Sequence, residues 1–488
     1  MRVGWWIGLA AVVIVVIAIW PILFALPSPV LGGADPISSS PGPCCWNGSG
    51  LSGTASFGAA TYVSTPSNAS WYWATRMGVL DPWNSSLMSY VNASPFRWIR
   101  YATFNGATAD NSNWTAGLTY SNSGVSSAIG VNWTHVKNFL AQTHSHWIFA
   151  VNGQVNNAGL AANEVSYIEG LGLHPDLWSI GNEPNTYTHW NKAMTSWLSG
   201  DHKAPTQAQW TTEVGNYTAA MRGVDPSIQI VGVQADTAFD KIGGWVGATA
   251  ASTGASTKIA GYGMHLYPLR QGSQPFTAAQ FLSPSNFSQL SEGLNWSHTN
   301  LTASCSACSS EPLLLDELNS FSQNSAADGR FQVGFAEGVW VAAATIVTLR
   351  ANASQVAFSA FVGTSGLQNL SLINFTSGLP LPAYNVYTSL LGKMPIGSAF
   401  DFGLTASIGG IYSLLERTSS TPSLLVVNTN TTRGLSLNLQ DGAFPYTSPA
   451  TVYYCDPNTQ LPLPRVYSAG ALPQTITLAP ESVLLLVG

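Results

Sequence analysis

Two short apolar runs end in glutamate at widely separated points of the chain. Glu183 closes the run that begins at Leu177, and Glu317 follows the run that begins at Pro312. Apolar runs of this length, bounded by polar residues, predict buried strands. Two carboxylates about 5 to 5.5 Å apart can break a glycosidic bond, because one attacks the anomeric carbon while the other protonates the leaving oxygen. The pair therefore predicts glycosyl-transfer chemistry that needs neither a metal nor a cofactor.

Each glutamate also has an alternative interpretation. Glu183 precedes Pro184, and the backbone restriction before proline can simply end an element. Asp316 competes with Glu317 for the same role, but successive strand residues point to opposite faces. Only one of these two acids is therefore expected to face the centre of the fold. The second strand-end glutamate further along the chain favours a catalytic role for both Glu183 and Glu317.

The elements that must position these residues alternate along the chain. Short apolar runs are separated by longer stretches, with plausible helices from Phe281 to Trp296 and from Phe331 to Leu349. Eight such runs predict an α/β fold, a (β/α)8 TIM barrel, whose active site lies at the C-terminal ends of its strands. The predicted strands are Ala59–Val63, Phe96–Tyr101, Trp147–Val151, Leu177–Ile180, Ile228–Val233, Ile259–Met264, Leu313–Leu315 and Val356–Val362.

Composition divides the chain into four predicted parts. Within residues 1–26, the uncharged apolar stretch from Val3 to Leu26 is long enough to cross a bilayer and predicts an N-terminal transmembrane helix, an uncleaved signal anchor. Residues 27–54 are rich in Pro, Gly and Ser and predict a linker. Residues 55–379 are assigned to the catalytic barrel. Residues 380–488, with short β-type runs, are assigned to a C-terminal β-sandwich domain.

The segments Gly181–Asn185 and Asp316–Ser320 resemble the motifs of clan A retaining glycoside hydrolases, in particular the heparanase and β-glucuronidase family. The resemblance covers residues 55–488 and implies that Glu183 is the acid/base and Glu317 the nucleophile. Comparable strand-end segments occur in the same order at Ile99–Tyr101, Phe149–Asn152, His265–Tyr267, Phe361–Gly363 and Leu381–Tyr384.

Four further residues are candidates for binding substrate. The resemblance implies that Asn182 hydrogen-bonds the sugar hydroxyl beside the reacting carbon, and that Tyr267 orients the nucleophile. His265 is a candidate sugar contact. Arg100 either neighbours the nucleophile or forms a salt bridge at a strand end. Outside this set, Glu337 is expected to be structural, while Trp190 and Trp210 either stack on sugar rings or pack in the core.

The leading hypothesis is an exo-acting β-glycosidase, β-glucuronidase-like, that acts on oligo- or polysaccharide. Residues 321–325 and 364–367 differ from the segments with which the family holds a uronic acid, so glucoside, xyloside or galactoside specificity stays open. A membrane-tethered, inactive carbohydrate-binding protein is the alternative from another class. The presence of both strand-end glutamates opposes that alternative.

The surface composition predicts an extracellular protein. Charged residues make up only 8% of the chain and the net charge is -6, so nucleic acid is not an expected partner. About fourteen Asn-x-Ser/Thr sequons predict N-linked glycans, unless a chain rich in these residues produces them by chance. With Arg2 inside, the catalytic part faces outward from the cell membrane, or is secreted if the N-terminal segment is cleaved.

Five cysteines allow disulfides in an oxidising exterior. The short spacing of Cys305 and Cys308 predicts a local loop disulfide. Cys455 could pair with Cys44 or Cys45. One thiol of the five must stay unpaired or bond another chain.

Overall fold

The structure is a computed structural model, and its described residues belong to one compact unit. It describes the chain from residue 51 onward, so the predicted transmembrane segment and residues 27–50 of the predicted linker lie outside this part. The predicted end of the linker at residue 54 is wrong, because residues 51–54 belong to strand β1 (Leu51–Phe57). No helix in the described part is both long and apolar enough to span a bilayer. The structure leaves residues 1–50, 58–61, 65–71, 78–84, 97, 102–117, 122–123, 128–131, 154–155, 187–203, 237–238, 254–258, 270–276, 322–328, 363–370, 375–376, 395–398, 402–403, 407, 417–420 and 440–448 undescribed.

Eight parallel strands close into a barrel, as the alternation of apolar runs predicts. Each strand pairs with the next along the chain, and the last pairs with the first, so every backbone ladder is completed. The barrel strands are β3 (Tyr72–Met77), β4 (Trp98–Tyr101), β7 (His146–Val151), β8 (Leu177–Ile180), β9 (Ile230–Asp236), β10 (Gly261–Leu266), β11 (Leu313–Leu318) and β12 (Gln355–Val362).

Seven of these eight strands coincide with predicted runs, and the first does not. The predicted strand at residues 59–63 is wrong, because Tyr62–Ser64 (β2) pairs antiparallel with Ala399–Asp401 (β13) in a different sheet. The barrel instead begins at β3, whose parallel partners are β12 and β4. A short apolar run shows that a strand forms but does not show which sheet it joins.

Helices follow the barrel strands and cover them. The longest apolar one, Phe335–Arg350, is buried along almost its whole length, which explains its lack of a polar face. The Gln207–Val224 helix begins with a capping box in which Thr206 and Gln209 satisfy each other's backbone N–H groups. The helices are α1 (Ser85–Ala93), α2 (Trp133–Thr143), α3 (Ala158–Gly170), α4 (Gln207–Val224), α5 (Phe239–Thr253), α6 (Ala278–Phe281), α7 (Pro284–Ser304), α8 (Gly329–Gln332), α9 (Phe335–Arg350) and α10 (Pro382–Ser389).

Two further sheets form a β-region outside the barrel. Besides β2 and β13, its strands are β1 (Leu51–Phe57), β14 (Leu404–Ala406), β15 (Ile411–Glu416), β16 (Ser423–Asn428), β17 (Gly434–Asn438), β18 (Ala450–Asp456), β19 (Thr459–Tyr467), β20 (Thr475–Leu478) and β21 (Ser482–Val487). In the seven-stranded sheet the order is β19-β18-β21-β16-β15-β13-β2, and in the four-stranded sheet it is β14-β1-β17-β20. Strands β16 and β21 are buried throughout or nearly so, and they form the centre of the larger sheet. A separate hairpin consists of β5 (Leu118–Ser121) and β6 (Gly124–Ser127).

The boundaries between barrel and β-region differ from the predicted limits of 55–379 and 380–488. Strands β1 and β2 precede the barrel in sequence, yet they pair with strands of the β-region. Helix α10 follows residue 380, yet it packs against barrel helix α9. The β-region is therefore assembled from both ends of the described chain, which composition alone does not reveal.

The structure bears on two expectations from the sequence, the disulfide bonds and the N-linked glycans. Cys305 and Cys308 form the predicted disulfide, and Cys455 is a free, buried thiol, while Cys44 and Cys45 lie outside the described residues. Asn286 belongs to a sequon, but its side chain is buried and donates hydrogen bonds to the carbonyls of Gln280 and Phe281. This asparagine is therefore not accessible to a glycan.

Candidate active site

The backbone turns sharply where β8 ends, and this turn places Glu183. Gly181 and Glu183 both adopt positive φ angles, +69° and +50°, which is uncommon for a residue with a side chain and occurs often at functional sites. The N–H of Glu183 donates to the carbonyl of Gln234 at 2.7 Å. Asn185 exchanges two hydrogen bonds with the backbone of Asp236. These bonds to β9 fix the Asn-Glu-Pro-Asn segment against the barrel rim.

Glu317 lies at the end of β11 and accepts hydrogen bonds at both carboxylate oxygens. The Arg100 guanidinium donates to its Oε1 at 2.6 Å, and the Tyr267 hydroxyl donates to its Oε2 at 2.5 Å. The Ser359 hydroxyl lies 3.5 Å from the same Oε2. Donors to both oxygens stabilise the ionised form of a carboxylate. These contacts favour the ionised form of the Glu317 carboxylate and fix its orientation.

The two glutamates meet at one end of the barrel. One oxygen of Glu183, one oxygen of Glu317 and one ring nitrogen of His265 all lie within 4.8 Å of one another. This separation belongs to the range in which one carboxylate can attack a sugar while the other transfers a proton. The same three groups could also ligate a cation, but Arg100 and Tyr267 already donate to both oxygens of Glu317.

Asp316 and Glu317 both face the barrel centre, so the prediction that only one of them could do so is wrong. In the pairing of β10 with β11, Met264 aligns with Leu315 and His265 aligns with Glu317. Asp316 is therefore an extra residue, a β-bulge, which suspends the alternation of side chains at this point. Both acids are 1% exposed and both lie against Arg100 and His265.

His265 connects the acids. Its Nδ1 lies 2.9 Å from Glu183 Oε1 and 3.8 Å from Glu317 Oε2, and its Nε2 lies 3.6 Å from Asp316 Oδ1. Burial alone lowers the pKa of His265, but Glu317, Glu183 and Asp316 together raise it above the ordinary value. The imidazole therefore stays protonated to a higher pH than a solvent-exposed histidine.

Arg100 is the fully buried cation of the site. Besides Glu317, its guanidinium donates to Asn182 Oδ1 at 2.8 Å and to Gln234 Oε1 at 3.1 Å. Burial opposes its charge, but Asp316 and Glu317 raise its pKa above the usual value. Of the two alternatives for Arg100, the geometry places it beside the proposed nucleophile.

Gln234 is a site residue that sequence reasoning missed. It lies within β9 at a φ of +56°, next to Val233 at +75°, and this backbone is strained for residues with a Cβ. Gln234 is the extra residue of a bulge between Val233 and Ala235 in β9, and its side chain contacts Arg100 inside the barrel. A Cβ on Gly263 would overlap the Gln234 amide, so the glycine on the neighbouring strand leaves room for it. Glycine in β10 was the available sequence signal.

A buried polar layer supports the end of β11 from behind. The Asn319 side-chain amide donates to the Ser359 carbonyl at 2.6 Å, and the Ser320 hydroxyl donates to Glu337 Oε2 at 2.7 Å. Burial raises the pKa of Glu337 to about 8, against the hydrogen bonds from Ser320. Glu337 is therefore a neutral acid at neutral pH that ties β11 to helix α9.

The six residues selected from the sequence converge at one rim of the barrel, joined by direct contacts. They are Arg100, Asn182, Glu183, His265, Tyr267 and Glu317. Trp210 does not join them, because it is fully buried in the core and its indole N–H donates to the Val233 carbonyl at 3.1 Å. Trp190 lies outside the described residues.

No protein-family model and no curated protein matches the sequence. Solved structures do match the fold. An α-L-arabinofuranosidase from Thermotoga maritima, in complex with arabinose, is 12% identical, with a TM-score of 0.61 and coverage of 90% of this chain and 100% of that one. A 4-O-α-L-rhamnosyl-β-D-glucuronidase from Fusarium oxysporum is 14% identical, with a TM-score of 0.61 over 89% and 100%.

A bifunctional glucanase-xylanase from a metagenome library is also similar, at 14% identity and a TM-score of 0.57 over 90% of this chain and 99% of that one. At such low identity the similarity concerns the fold. The chain therefore has a (β/α)8 barrel with an associated β-region, a fold that it shares with solved glycoside hydrolases over about nine-tenths of its length.

Proposed function

We propose that this chain is a retaining glycoside hydrolase, with Glu317 as the nucleophile and Glu183 as the acid/base. The observation that carries the proposal is the approach of their carboxylate oxygens to within 4.8 Å at one rim of the barrel. The two acids differ in environment. Glu317 is buried and accepts donors at both oxygens, whereas Glu183 is 17% exposed and contacts His265.

In the first step, a Glu317 oxygen attacks the anomeric carbon, and the bond from that carbon to the leaving oxygen breaks. Glu183 gives its proton to the leaving oxygen and becomes a carboxylate. Arg100 and Tyr267 hold the Glu317 carboxylate in position, which lowers the entropic part of the barrier. The product of this step is a glycosyl ester on Glu317.

In the second step, water replaces the leaving group and Glu183 removes a proton from it. The new oxygen attacks the anomeric carbon from the side opposite to Glu317, which leaves as a carboxylate. Two inversions give net retention of the anomeric configuration.

The proposed substrate is a β-glycoside at the end of an oligo- or polysaccharide, with β-glucuronidase-like specificity as the leading possibility. The sequence resemblance to the heparanase and β-glucuronidase family supports it, as does the named activity of the Fusarium structure. Neutral sugars form the second candidate, and the arabinofuranosidase and glucanase-xylanase names favour including pentosides and glucosides.

We also propose that the protein acts outside the cytoplasm, tethered to the membrane by residues 1–26 and carrying N-linked glycans at accessible sequons. The uncharged stretch after Arg2 supports the tether. Detergent-dependent extraction from membranes and a mass change on deglycosylation would test these two statements separately.

The test of the function is a panel of nitrophenyl glycosides assayed with the full chain. The panel contains β-D-glucuronide, β-D-glucoside, β-D-xyloside, β-D-galactoside and α-L-arabinofuranoside. Proton NMR of the first-formed sugar reports its anomeric configuration, and retention is expected. Binding of oligosaccharide by folded protein, without turnover of any substrate, would instead support the inactive carbohydrate-binding alternative.

A further inference from the structure

Asp316 is a buried acid that the two-step reaction does not use directly. It is 1% exposed, and the polar groups that face its carboxylate are Arg100, His265 and the side-chain amide of Gln234. Its Oδ2 lies 3.7 Å from Arg100 Nε, and its Oδ1 lies 3.6 Å from His265 Nε2. An acid buried in this way is destabilising unless nearby charges compensate it. The cost of burying Asp316 suggests that this acid has a role in the site.

His265 stands between Asp316 and Glu183. Its Nε2 faces Asp316, and its Nδ1 lies 2.9 Å from Glu183 Oε1. The ring is fully buried, so no bulk water competes for either nitrogen. The two acids therefore contact opposite sides of one imidazole. A change of charge on one of them alters the protonation of the ring, and thereby the hydrogen bond to the other.

The surroundings of His265 favour the protonated ring. Burial raises the pKa of Asp316, while Arg100 and His265 oppose that rise. The acids around the ring outweigh the single guanidinium, and they raise the pKa of His265. The charged or titratable groups around the ring come from five barrel strands or the loops that follow them: Arg100, Glu183, Asp236, Tyr267, Asp316 and Glu317.

We propose that Asp316 is a positioning residue that acts on Glu183 through His265, by keeping the imidazole protonated so that its Nδ1–H always donates to Glu183 Oε1. This inference rests on the proposed role of Glu183 as acid/base. Because Nδ1–H occupies Oε1, the transferable proton of Glu183 is confined to Oε2. The bulge at Asp316 is thus a functional feature of β11.

The proton balance is simple. When the leaving group departs, the O–H bond at Glu183 Oε2 breaks and its proton goes to the glycosidic oxygen. The new carboxylate is stabilised by the Nδ1–H of His265, which keeps its own proton because Asp316 faces Nε2. When water attacks in the second step, Oε2 takes a proton from the water, and the starting state is restored.

The first test does not need activity. In the full chain labelled with 15N-histidine, the ring nitrogens of His265 are followed by NMR against pH, with His265→Gln used for assignment. We expect His265 to titrate above the ordinary value of about 6.5. In Asp316→Asn, its midpoint falls by about one unit or more. A midpoint at or below 6.5 in the unsubstituted protein overturns the proposal, even if Asp316→Asn does not fold.

Asp176→Asn is the matched control. Asp176 contacts His146 at 2.9 Å, but this pair is exposed and lies where β7 and β8 begin, at the end of the barrel opposite to the site. The same Asp→Asn change there should leave the His265 titration unchanged. A fall of the His265 midpoint in the control as well would mean that the shift is a general response to lost charge, which contradicts the proposal.

The second test uses leaving groups. An alkyl glycoside needs protonation by Glu183, whereas a dinitrophenyl glycoside does not. Asp316→Asn should lower kcat/KM about 10-fold or more for the alkyl substrate and less than about 3-fold for the dinitrophenyl one, with the pH profile changed only for the former. Equal losses on both substrates would show a merely structural role.

The two tests distinguish this inference from the proposed function. Absence of turnover in the unsubstituted protein would count against the proposed function, while the NMR result would still decide whether Asp316 controls the protonation of His265.

Discussion

The barrel carries a His–Asp pair at each end, and the two pairs are built differently. His146 and Asp176 lie 2.9 Å apart where the strands begin, with 51% and 39% of their side chains exposed. His265 and Asp316 lie 3.6 Å apart where the strands end, and they are 0% and 1% exposed. The closer pair is surrounded by water, which screens it. The more distant pair belongs to a buried network with Arg100 and Glu317, where electrostatic interactions are screened less by water.

The packing at the end where the barrel strands begin explains part of this contrast. Near the strand beginnings, Trp98, Ile148 and Ala357 form a small apolar cluster with Leu177 packed against it. His146 stacks on Trp98 at a ring-centroid distance of 4.7 Å. Apolar packing therefore occupies much of this end, where the buried Gln355 is polar but uncharged, whereas the other end keeps acids inside. Position in the barrel, rather than residue type, separates a surface pair from a chemical centre.

Removal of Glu317, the proposed nucleophile, should have the largest effect at the end of the barrel where the strands end. Glu317→Ala should lower kcat by about 10⁴-fold or more while the protein stays folded, because it removes the carboxylate that forms the proposed covalent intermediate. Added azide should restore turnover and give the inverted anomer, as measured by proton NMR. Glu311→Gln, just before β11, is the control with near-normal kcat. Unchanged activity of Glu317→Ala would remove this residue as nucleophile.

The loss of activity on removal of Glu183, the proposed acid/base, should depend on the leaving group of the substrate. Glu183→Ala should lower kcat/KM by about 10² to 10⁴-fold for substrates with poor leaving groups, because protonation of the leaving oxygen contributes that much. With a dinitrophenyl glycoside, the first step should be nearly unaffected and a burst of product should accumulate. A loss of equal size on all leaving groups would argue against the acid/base role.

The stability of the two ends should respond differently to the loss of a charge. Arg100→Met leaves Asp316 and Glu317 buried without their cation, and should lower the free energy of unfolding by about 3 to 5 kcal/mol. Asp176→Asn removes one partner of the exposed pair and should cost less than about 1 kcal/mol. Denaturant unfolding measures both values. Similar costs at the two ends would contradict the difference drawn from burial.

The last effect is gradual, because it accumulates with pH, and it concerns Glu337. Because its pKa is raised to about 8 in the folded protein, the folded state holds a proton that the unfolded state loses above about pH 4.5. Its contribution to stability is therefore complete below that pH and is lost as pH rises toward 8, by about 1.4 kcal/mol per unit. Glu337→Gln should remove this slope from the unfolding free energy measured between pH 5 and 8. An unchanged pH dependence in Glu337→Gln would mean that a group other than Glu337 binds the proton.

The sequence located the catalytic candidates because their signal is local. A buried strand must be apolar, and a polar residue at its end must face solvent or a site, so Glu183 and Glu317 stand out against their own neighbours. Seven of the eight barrel strands were found in the same way. The cysteine pair at 305 and 308 was also readable, because only a short loop separates its members.

The errors share a cause. The run at residues 59–63 has the pattern of a barrel strand, but β2 pairs with β13, which comes more than three hundred residues later in the chain. The strict alternation expected at Asp316 fails because β11 carries a bulge relative to both of its neighbours, β10 and β12. Gln234 enters the site through a strained backbone in β9 that no local propensity favours.

The amino-acid sequence by itself determined where strands form, where they end, and that acids stand at two of those ends. These features follow from the pattern of apolar and polar residues over a few positions of the chain. Only the tertiary structure decided which strands neighbour each other, that Asp316 joins Glu317 inside, and that His265 touches both Glu183 and Asp316. Such pairings depend on the closure of the whole barrel, because the register between strands is fixed by partners distant in the chain.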